Sequence, residues 1–245
     1  MKSRWTFRYK TNELGDLKSV SPRSRFVAKG YSQVQGLHYF ENCAPVASFI
    51  TIRLLLAFTS ISNIQVLQYD MSVAFIHSKL DLTHSPVYCE CAEGYEDRRK
   101  YVYRLHRYLY GMQDSPRGWG QLFASVCTDF RLTHLKSDEC VFVKFVNYSK
   151  TRIQNMQPDF ANIIEATALL HENDRIYSDC PHATAILIIA SYVDDNLAFT
   201  NCTTLAAEFE VHCNVTFPMD AKGPVNWYLS VKYDRDPTTG AVSAH

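Results

Sequence analysis

Two adjacent aspartates, Asp194 and Asp195, stand directly after a strongly apolar stretch of the chain. Residues 185–190 are all apolar, and residues 197–199 form a second short apolar run. An apolar strand, a tight turn and a return strand are typical of a β-hairpin. Neighbouring carboxylates at the end of a buried strand repel each other and lose solvation, and a cation offsets both effects. The pattern indicates a divalent metal site suited to phosphoryl chemistry; an ordinary aspartate-rich turn is the alternative.

A third carboxylate, Asp70, ends another strand-forming run at residues 64–69. If this strand lies beside the strand at 185–190, Asp70 faces the hairpin that carries Asp194 and Asp195. Three carboxylates in that arrangement would bind two Mg²⁺ ions roughly 4 Å apart, the spacing used for in-line phosphoryl transfer. Carboxylates are needed because Mg²⁺ is a hard cation that prefers oxygen ligands, and Mn²⁺ suits the same ligands.

The composition is that of a folded protein that works inside a cell. The 245 residues are 47% hydrophobic, which is enough for one large domain or one domain with two subdomains. No apolar run is long enough to cross a membrane, and the N-terminus has no signal-peptide core. The eight cysteines form no C-x-x-C pair, which favours reduced thiols. We expect an intracellular protein without a membrane partner, in the cytoplasm or the nucleus.

Charge is unevenly distributed along a chain whose net charge is zero. Residues 1–31 hold eight Lys or Arg against two acidic residues, and residues 98–117 hold six against one. Residues 154–245 hold twelve Asp or Glu against four Lys or Arg. The basic segments could bind a polyanion and the acidic half could bind metal, although oppositely charged solvated faces would give the same counts.

Strands and helices are mixed without regular alternation, which predicts an α+β fold. A turn is predicted at residues 12–15, and residues 147–182 are interpreted as an insertion or long loop because their periodicity is weak. Further strands are predicted at residues 5–9, 25–29, 140–146 and 227–233, and helices at 51–61, 116–130 and 203–211.

The order of several short motifs resembles the reverse transcriptase domain of Ty1/copia-type retrotransposon polyproteins. These motifs include the first catalytic block around Asp70 and the Tyr-Val-Asp-Asp hairpin at 192–195. The resembling blocks, in chain order, are residues 23–33, 43–47, 51–55, 68–75, 102–105, 109–111, 115–119, 137–144, 192–195 and 223–229. They cover nearly the whole chain and are interrupted by the predicted insertion.

The resemblance implies a right-hand polymerase that extends a primer with dNTPs on an RNA or DNA template. It implies a palm, built as an antiparallel sheet with helices on one face, together with fingers and a short or absent thumb. All 245 residues would form a single reverse transcriptase domain, with fingers at about 1–63 and 86–117 and palm at about 64–85 and 118–235. Other segments of a retrotransposon polyprotein would be partners. The protein would be located in a cytoplasmic virus-like particle or in the nucleus.

By position in the resembling motifs, Asp70 and Asp194 would be metal ligands, and Asp195 would be the third active-site carboxylate. Phe75 stands where such enzymes place an aromatic ring that excludes the 2′-hydroxyl of a ribonucleotide; a core phenylalanine is the alternative. The remaining candidates would contact the nucleotide triphosphate or the template. They are Arg23, Arg25, Lys29 and Gln113.

The chain departs from the family pattern at several positions, and these departures leave open a function other than catalysis. Ser72, Asp114 and Ser230 replace residues usual in the family, while the three aspartates are retained. A catalytically silent retroelement remnant that at most binds nucleic acid is the main alternative. A palm enzyme that copies RNA with NTPs is the second, and the effect of Phe75→Ala on sugar preference would distinguish it.

Overall fold

The structure is a computed structural model in which the chain divides into two compact units. The first unit comprises residues 1–44 and 73–122, and the second comprises residues 45–72 and 123–245. The assignment of fingers and palm to particular residues stays a prediction. No helix in the described part of the chain is long and apolar enough to span a membrane. The described residues are 1–11, 17–61, 64–80, 86–95, 100–146, 159, 163, 185–236 and 242–244.

Two sequence predictions fall largely outside these described residues. The turn predicted at 12–15 lies wholly outside them. Of the insertion predicted at 147–182, only Asp159 and Ile163 are described. The Ile163 side chain is fully buried in the core of the second unit, so at least this residue belongs to the packed interior.

The first unit contains two small antiparallel sheets and part of a helix. The strands β1 and β2 pair along most of their length, as do β4 and β5. A small core that includes Ala28, Cys89 and Tyr108 lies in this unit. The elements of this unit are β1 (Ser3–Thr11), β2 (Leu17–Ala28), a 3-10 turn at Gly30–Ser32, a second at Ala74–His77, β4 (Val87–Glu90) and β5 (Val102–Leu105).

The second unit is built on a six-stranded antiparallel sheet with the strand order β10-β3-β9-β8-β7-β6. A separate three-stranded sheet has the order β11-β12-β13. The strands are β3 (Gln65–Met71), β6 (Thr133–Leu135), β7 (Asp138–Val146), β8 (Ala185–Tyr192), β9 (Asp195–Thr200), β10 (Met219–Pro224), β11 (Trp227–Tyr228), β12 (Val231–Arg235) and β13 (Val242–Ala244). The mixed α and β content with antiparallel sheets confirms the α+β prediction at this level.

The predicted helices are present, each with slightly different ends. They are α1 (Phe49–Ile61), α2 (Ser115–Asp129) and α3 (Thr203–Asn214). Ser48 begins α1, because its carbonyl accepts from the Ile52 N–H at 2.9 Å and its hydroxyl accepts from the Ile50 N–H at 3.3 Å. Pro116 lies in the first turn of α2, where the missing N–H has no helical partner to lose.

The helices of the second unit lie on both faces of the six-stranded sheet, so the expectation of helices on one face was wrong. Ile52 and Leu55 of α1 pack in one buried cluster with Val66 and Ile188 from the sheet. Since strand side chains alternate, Tyr69 points to the other face, where the Glu210 charge of α3 contributes to raising its pKa after burial. Both faces are therefore buried, which explains why β8 is apolar throughout rather than alternating.

The predicted strand at 227–233 is a two-stranded hairpin. Trp227 pairs with Lys232 and Tyr228 pairs with Val231. The two residues between them, Leu229 and Ser230, have φ of 48° and 67°. Two consecutive left-handed residues form the tight turn that suits hairpin twist, although such turns usually carry Asn or Gly. The turn was not predicted because neither Leu229 nor Ser230 is the Asn or Gly that usually marks a two-residue hairpin turn.

Candidate active site

Three carboxylates lie side by side on three neighbouring strands of the six-stranded sheet in the second unit. Asp70 on β3 is the register partner of Asp195 on β9, and on its other side it is the partner of Asp220 on β10. Because paired residues in antiparallel strands share a face, the three side chains project from the same side of the sheet. Asp70 thus lies level with Asp195, as expected, but β9 rather than the strand at 185–190 is its neighbour, which corrects that expectation.

Asp194 lies in the turn between β8 and β9. Tyr192 pairs with Asp195, which leaves Val193 and Asp194 as a two-residue loop. The Asp194 carbonyl accepts a hydrogen bond from the Met71 N–H at 2.9 Å, so the turn is tied to the strand end that follows Asp70. Val193 has φ of 57°, a conformation that a β-branched residue rarely adopts. The fold therefore holds the turn in a strained backbone that brings Asp194 to the end of β3.

The electrostatics of the site reflect crowded negative charge. Burial, together with the charges of Asp194 and Asp70 and against the opposing charge of Lys222, raises the pKa of Asp195 to about 6. A carboxyl group titrates this high when its charged form lacks enough compensation. The arrangement therefore disfavours the ionised form of Asp195 until additional positive charge arrives.

Lys222 supplies a cation from within the chain. Its Nζ lies 3.3 Å from Asp70 Oδ2 and 3.8 Å from Asp220 Oδ2. The position follows from an irregularity in the pairing of β10 with β3 between Ala221 and Gly223, which lies where Lys222 stands. The ion pair is partly exposed, since the Lys222 and Asp70 side chains retain 45% and 41% of their exposure, and it is therefore weak.

Polar side chains on β9 and β11 donate hydrogen bonds to backbone carbonyls of the β8–β9 hairpin. The Tyr228 hydroxyl donates to the Asp195 carbonyl at 3.4 Å, and burial raises the Tyr228 pKa, so this donor stays protonated. Asn196 is fully buried, and its Nδ2 donates to the Asp194 carbonyl at 3.4 Å. Asn196 Oδ1 is buried and accepts no hydrogen bond within the described part of the chain.

The donor types at this site suit a hard divalent cation, although the side chains do not converge on a preformed site. Among the described residues, no group of three or more His, Cys, Asp or Glu side chains is arranged to hold a metal ion. The raised Asp195 pKa and the ammonium group against Asp70 both indicate carboxylates that attract positive charge. Asp70, Asp194 and Asp195 carry carboxylates of the kind that could hold such a cation, and the Lys222 ammonium contacts one of them, Asp70.

Two of the predicted nucleotide-binding residues meet on one aromatic ring in the first unit. The Arg25 guanidinium lies over the Tyr110 ring at 4.8 Å from its centroid. The Phe75 ring packs edge-on against the same Tyr110, with centroids 4.9 Å apart. Phe75 is partly buried and packs against the small core of the first unit. The alternative interpretation of Phe75 as a core phenylalanine is therefore only partly supported. Tyr110 thus fixes the positions of both side chains.

The close approach of two glycines positions Tyr110 against the end of β2. The Ala28 N–H donates to the Tyr110 carbonyl at 2.8 Å, and the Gly30 N–H donates to the Gly111 carbonyl at 3.0 Å. A Cβ on Gly30 would lie 2.0 Å from the Gly111 carbonyl oxygen, so any larger residue would separate the two segments.

The other three predicted residues lie elsewhere in the first unit. Arg23 is exposed on β2, and Lys29 follows that strand, with its N–H donating to the Lys2 carbonyl at 2.8 Å. Gln113 is exposed, and its N–H donates to Gln33 Oε1 at 2.7 Å. Gln33 Nε2 in turn lies 3.4 Å from Asp114 Oδ1, and burial raises the Asp114 pKa. The roles of all these residues stay predictions.

Lys222, Asp220 and Tyr110 were not among the site residues predicted from the sequence. The alternation of Asp220 and Lys222 around Ala221 was a usable signal for a strand with one polar face. Tyr110 lies in a motif that the resemblance quoted, but its contacts with Arg25 and Phe75 connect segments far apart in sequence. Only the folded chain reveals such contacts.

Comparisons with known proteins identify the family of the chain. Residues 1–157 match the family described as "Reverse transcriptase (RNA-dependent DNA polymerase)". The chain is 27% identical over 241 residues to the "Retrovirus-related Pol polyprotein from transposon TNT 1-94" of Nicotiana tabacum, covering 98% of this chain and 15% of the relative. It is also 27% identical over 237 residues to the corresponding polyprotein from transposon RE1 of Arabidopsis thaliana, covering 96% and 13%.

A third relative, the polyprotein from transposon RE2 of Arabidopsis thaliana, is 26% identical over 236 residues, which cover 96% of this chain and 13% of the relative. The chain therefore spans only about one seventh of the length of these curated relatives. No solved structure matches the chain. Since the family match covers more than half of the residues, the chain belongs to the reverse transcriptase (RNA-dependent DNA polymerase) family, in agreement with its resemblance to copia-type retrotransposon polyproteins.

Proposed function

We propose that this chain is the reverse transcriptase domain of a copia-type Pol polyprotein and that it extends a primer with dNTPs on an RNA or DNA template. The observation that carries the proposal is the register of Asp70 with Asp195, together with the hydrogen bond that ties Asp194 to the end of β3. Family membership supports the chemistry. Other segments of the polyprotein would be partners, because the relatives are far longer than this chain.

In this proposal, the six-stranded sheet of the second unit is the palm and the first unit contributes to the fingers, with a short or absent thumb. Asp70, Asp194 and Asp195 would hold two Mg²⁺ ions, or Mn²⁺ in their place. When bound, these ions would lower the pKa of the attacking hydroxyl and stabilise charge on the leaving pyrophosphate. The carboxylates would hold positive charge at the sheet end, and the turn at Val193 and Asp194 is tied there by the hydrogen bond from the Met71 N–H to the Asp194 carbonyl.

The nucleotide would be bound by residues of the first unit. Phe75 would exclude the 2′-hydroxyl of a ribonucleotide, and Tyr110 would hold the Phe75 ring against rotation. Arg25 would contact phosphate oxygens while its guanidinium stays stacked on Tyr110. Arg23, Lys29 and Gln113 would provide further contacts with the triphosphate or template.

Removing one carboxylate tests the catalytic proposal. We expect Asp70→Asn and Asp194→Asn to abolish Mg²⁺-dependent primer extension while the protein stays folded, because an amide is a poor ligand for a hard cation. Primer extension on a labelled primer–template is the measurement, with circular dichroism as the folding check. Asp234→Asn is the matched control, since Asp234 is an exposed strand aspartate whose partner is Lys232. Primer extension at the wild-type rate in either variant would contradict the proposal.

A second candidate function is a catalytically silent remnant that binds nucleic acid. The Lys222 ion pair with Asp70 favours it, because an ammonium group already occupies a carboxylate that a metal would need. Such a protein would bind primer–template with an affinity that falls as salt rises, with no incorporation of dNTP when Mg²⁺ is added. Incorporation by the wild-type chain would exclude this candidate.

A further inference from the structure

The first unit contains a partly open cavity of about 260 Å³. Its inner wall is apolar, since Leu80, Val87 and Tyr108 line it and are buried in the small core of this unit. Leu37 and Phe40 also line the cavity but remain 59% and 52% exposed, so they form its open edge. Apolar walls with an open edge are typical of sites for small molecules, and this volume suits an aromatic ring with a short substituent.

The walls of this cavity are fixed by contacts within the unit. The loop that carries Leu37 closes on itself, because the His38 N–H donates to the Val34 carbonyl at 2.8 Å and the Val34 N–H donates to His38 Nδ1 at 2.9 Å. The Tyr108 ring lies against Gly118 so closely that a Cβ there would be 2.1 Å from a ring carbon. The cavity is therefore preformed, which lowers the entropy cost of binding a ligand.

A buried carboxylate, that of Asp114, lines the cavity. Asp114 is only 9% exposed, and Gln33 Nε2 donates to its Oδ1 at 3.4 Å, which is long for a hydrogen bond. Burial raises the pKa of Asp114, and its own backbone N–H, Gln33 and the Arg117 charge oppose this effect only in part. The charged form of such a carboxylate is poorly compensated within the chain, so it gains free energy from a nearby cation.

Helix capping does not account for Asp114, although this residue stands immediately before α2. An aspartate in that position usually accepts from the backbone N–H of the second or third helical residue. The second residue is Pro116, which has no N–H, and the described hydrogen bonds of the Asp114 carboxylate come from Gln33 and from its own N–H. The carboxylate therefore keeps lone pairs for a ligand in the cavity.

The other charged groups of the described lining leave the Asp114 charge uncompensated. Arg117 pairs with Glu41, and their Nη2 and Oε2 atoms lie 2.7 Å apart. His38 Nδ1 accepts a hydrogen bond, so the His38 ring is neutral. The lining thus holds two carboxylates and one guanidinium, which gives it a net charge of −1. This charge repels a phosphate or a nucleotide and attracts a cation.

We propose that this cavity binds a small organic cation, in which an aromatic ring or a short alkyl chain carries an amidinium, guanidinium or ammonium group. The cationic group would pair with the Asp114 carboxylate, and an amidinium or guanidinium could do so through two parallel hydrogen bonds. The apolar part would replace water against Leu80, Val87 and Tyr108. A ligand of this class is neither a nucleotide nor a nucleic acid, so the inference goes beyond the proposed function and does not depend on it.

Three probes that share a benzene ring and differ in charge test this inference. Benzamidine is a cation, benzamide is neutral and benzoate is an anion. Each is added to the metal-free wild-type chain in a proton–nitrogen NMR titration, with the Gln33 side-chain amide as the local reporter because it contacts Asp114. We expect benzamidine to bind with a Kd in about the millimolar range, as fits a fragment-sized ligand. Benzamide and benzoate should bind at least about tenfold more weakly.

Removing the charge of Asp114 should abolish the preference for the cation. Asp114→Asn keeps the shape of the side chain, and we expect it to weaken benzamidine binding about tenfold or more while benzamide binding is unchanged. Asp129→Asn is the matched control, since Asp129 is an exposed aspartate at the other end of α2 and does not line the cavity. It should leave the affinities of all three probes unchanged. The NMR spectrum of each variant verifies that it folds.

Replacing Arg117 separates a cation site from an anion site. We expect Arg117→Gln to tighten benzamidine binding by up to about fivefold, because the Glu41 carboxylate then adds its charge beside the cavity without a partner. If the cavity instead held anions, Arg117 would be the group that binds them, and this variant would weaken benzoate binding.

Any of three results would overturn the inference. One is a benzamidine affinity of Asp114→Asn within about twofold of wild type, which would show that the carboxylate does not hold the cation. Another is benzoate binding as tight as that of benzamidine and weakened by Arg117→Gln. The last is a Gln33 signal that no concentration of benzamidine shifts in the wild-type chain. Because the titrations contain no metal, primer or dNTP, a failure of catalysis would not mimic any of these results.

Discussion

At the scale of single residues, the candidate active site is a problem of charge balance. Asp70, Asp195 and Asp220 lie side by side on three neighbouring strands, and Lys222 is the cation that contacts two of them. An exposed ion pair of this kind contributes about 0.2–1 kcal/mol. The Lys222 ion pair therefore offsets part of the negative charge of the site, and it is weak enough for a divalent cation to displace it.

Replacing Lys222 tests this balance directly. We expect Lys222→Met to tighten Mn²⁺ binding by up to about fivefold, because the metal no longer competes with an ammonium group whose pairing contributes at most about 1 kcal/mol. Free Mn²⁺ measured by electron paramagnetic resonance during a titration gives the affinity without requiring catalysis. The unfolding free energy of the metal-free protein should fall by less than about 1 kcal/mol.

Lys232→Met is the matched control for that experiment. Lys232 also pairs with an aspartate, at 2.8 Å, and its exposure of 47% is close to the 45% of Lys222. It should leave Mn²⁺ affinity unchanged. Weaker Mn²⁺ binding in the Lys222 variant would mean that the lysine supports the metal site instead of competing for it.

Residue chemistry was the part of the site most accessible from sequence. The three aspartates were identified because a carboxylate after an apolar run is unfavourable without a cation. Lys222 was not identified, because an exposed lysine is not unfavourable in free energy and therefore gives no signal in the sequence. Its partner Asp70 also lies far away in sequence. Tyr110 was missed for the same reason, because a tyrosine is unremarkable until Arg25 and Phe75 pack against it.

At the scale of elements, the hairpins depend on turns whose residues are poorly suited to them. Val193 in the β8–β9 turn and both residues of the β11–β12 turn have positive φ. For residues with a Cβ, this conformation costs roughly 1–2 kcal/mol. Ser230 is the second residue of a tight turn that requires a left-handed backbone, which glycine adopts without strain.

A glycine at position 230 should stabilise the protein. We expect Ser230→Gly to raise the unfolding free energy by about 0.5–1 kcal/mol, since relief of the left-handed strain exceeds the added entropy of the unfolded chain. Urea denaturation followed by circular dichroism is the measurement. Ser24→Gly is the control and should lower stability, because Ser24 is an exposed residue within a strand. A lower unfolding free energy for Ser230→Gly would contradict the assigned turn.

The elements themselves were predicted well wherever a periodic pattern was long. The helices α1, α2 and α3 and the β8–β9 hairpin all lie close to the predicted ranges. The exception is the run at 227–233, where aromatic and β-branched residues on both sides of Leu229 and Ser230 hid the turn. Local patterns record hydrophobic periodicity, and they miss a turn that tertiary packing imposes on ordinary residues.

At the scale of the whole molecule, the stability of the metal-free protein should depend on pH through Asp195. Its pKa is raised to about 6 from the model-compound value of 3.8, so the folded state binds a proton more tightly than the unfolded state does. The stabilisation that comes from this tighter proton binding at Asp195 is fully present below about pH 4, and it is lost as the pH rises through about 6. It amounts to at most about 3 kcal/mol.

We therefore expect the unfolding free energy of the wild type, relative to Asp195→Asn, to fall between about pH 4 and about pH 7 in EDTA. The asparagine variant cannot titrate at this position, so it removes the Asp195 contribution and keeps those of all other groups. Urea denaturation of both proteins across this range is the measurement. Parallel pH profiles for the two proteins would show that Asp195 titrates near its ordinary value.

The sequence by itself determined which chemical groups this protein has and which family it belongs to. Ordered motifs, three aspartates after apolar runs and basic segments near the N-terminus are local properties that one chain displays. The tertiary structure decided the partners of these groups: β9 beside β3, Lys222 on Asp70, and both Arg25 and Phe75 on Tyr110. The order and the register of strands that are distant in sequence, such as β3 with β9 and with β10, arise from tertiary pairing, which the local pattern of either strand does not specify.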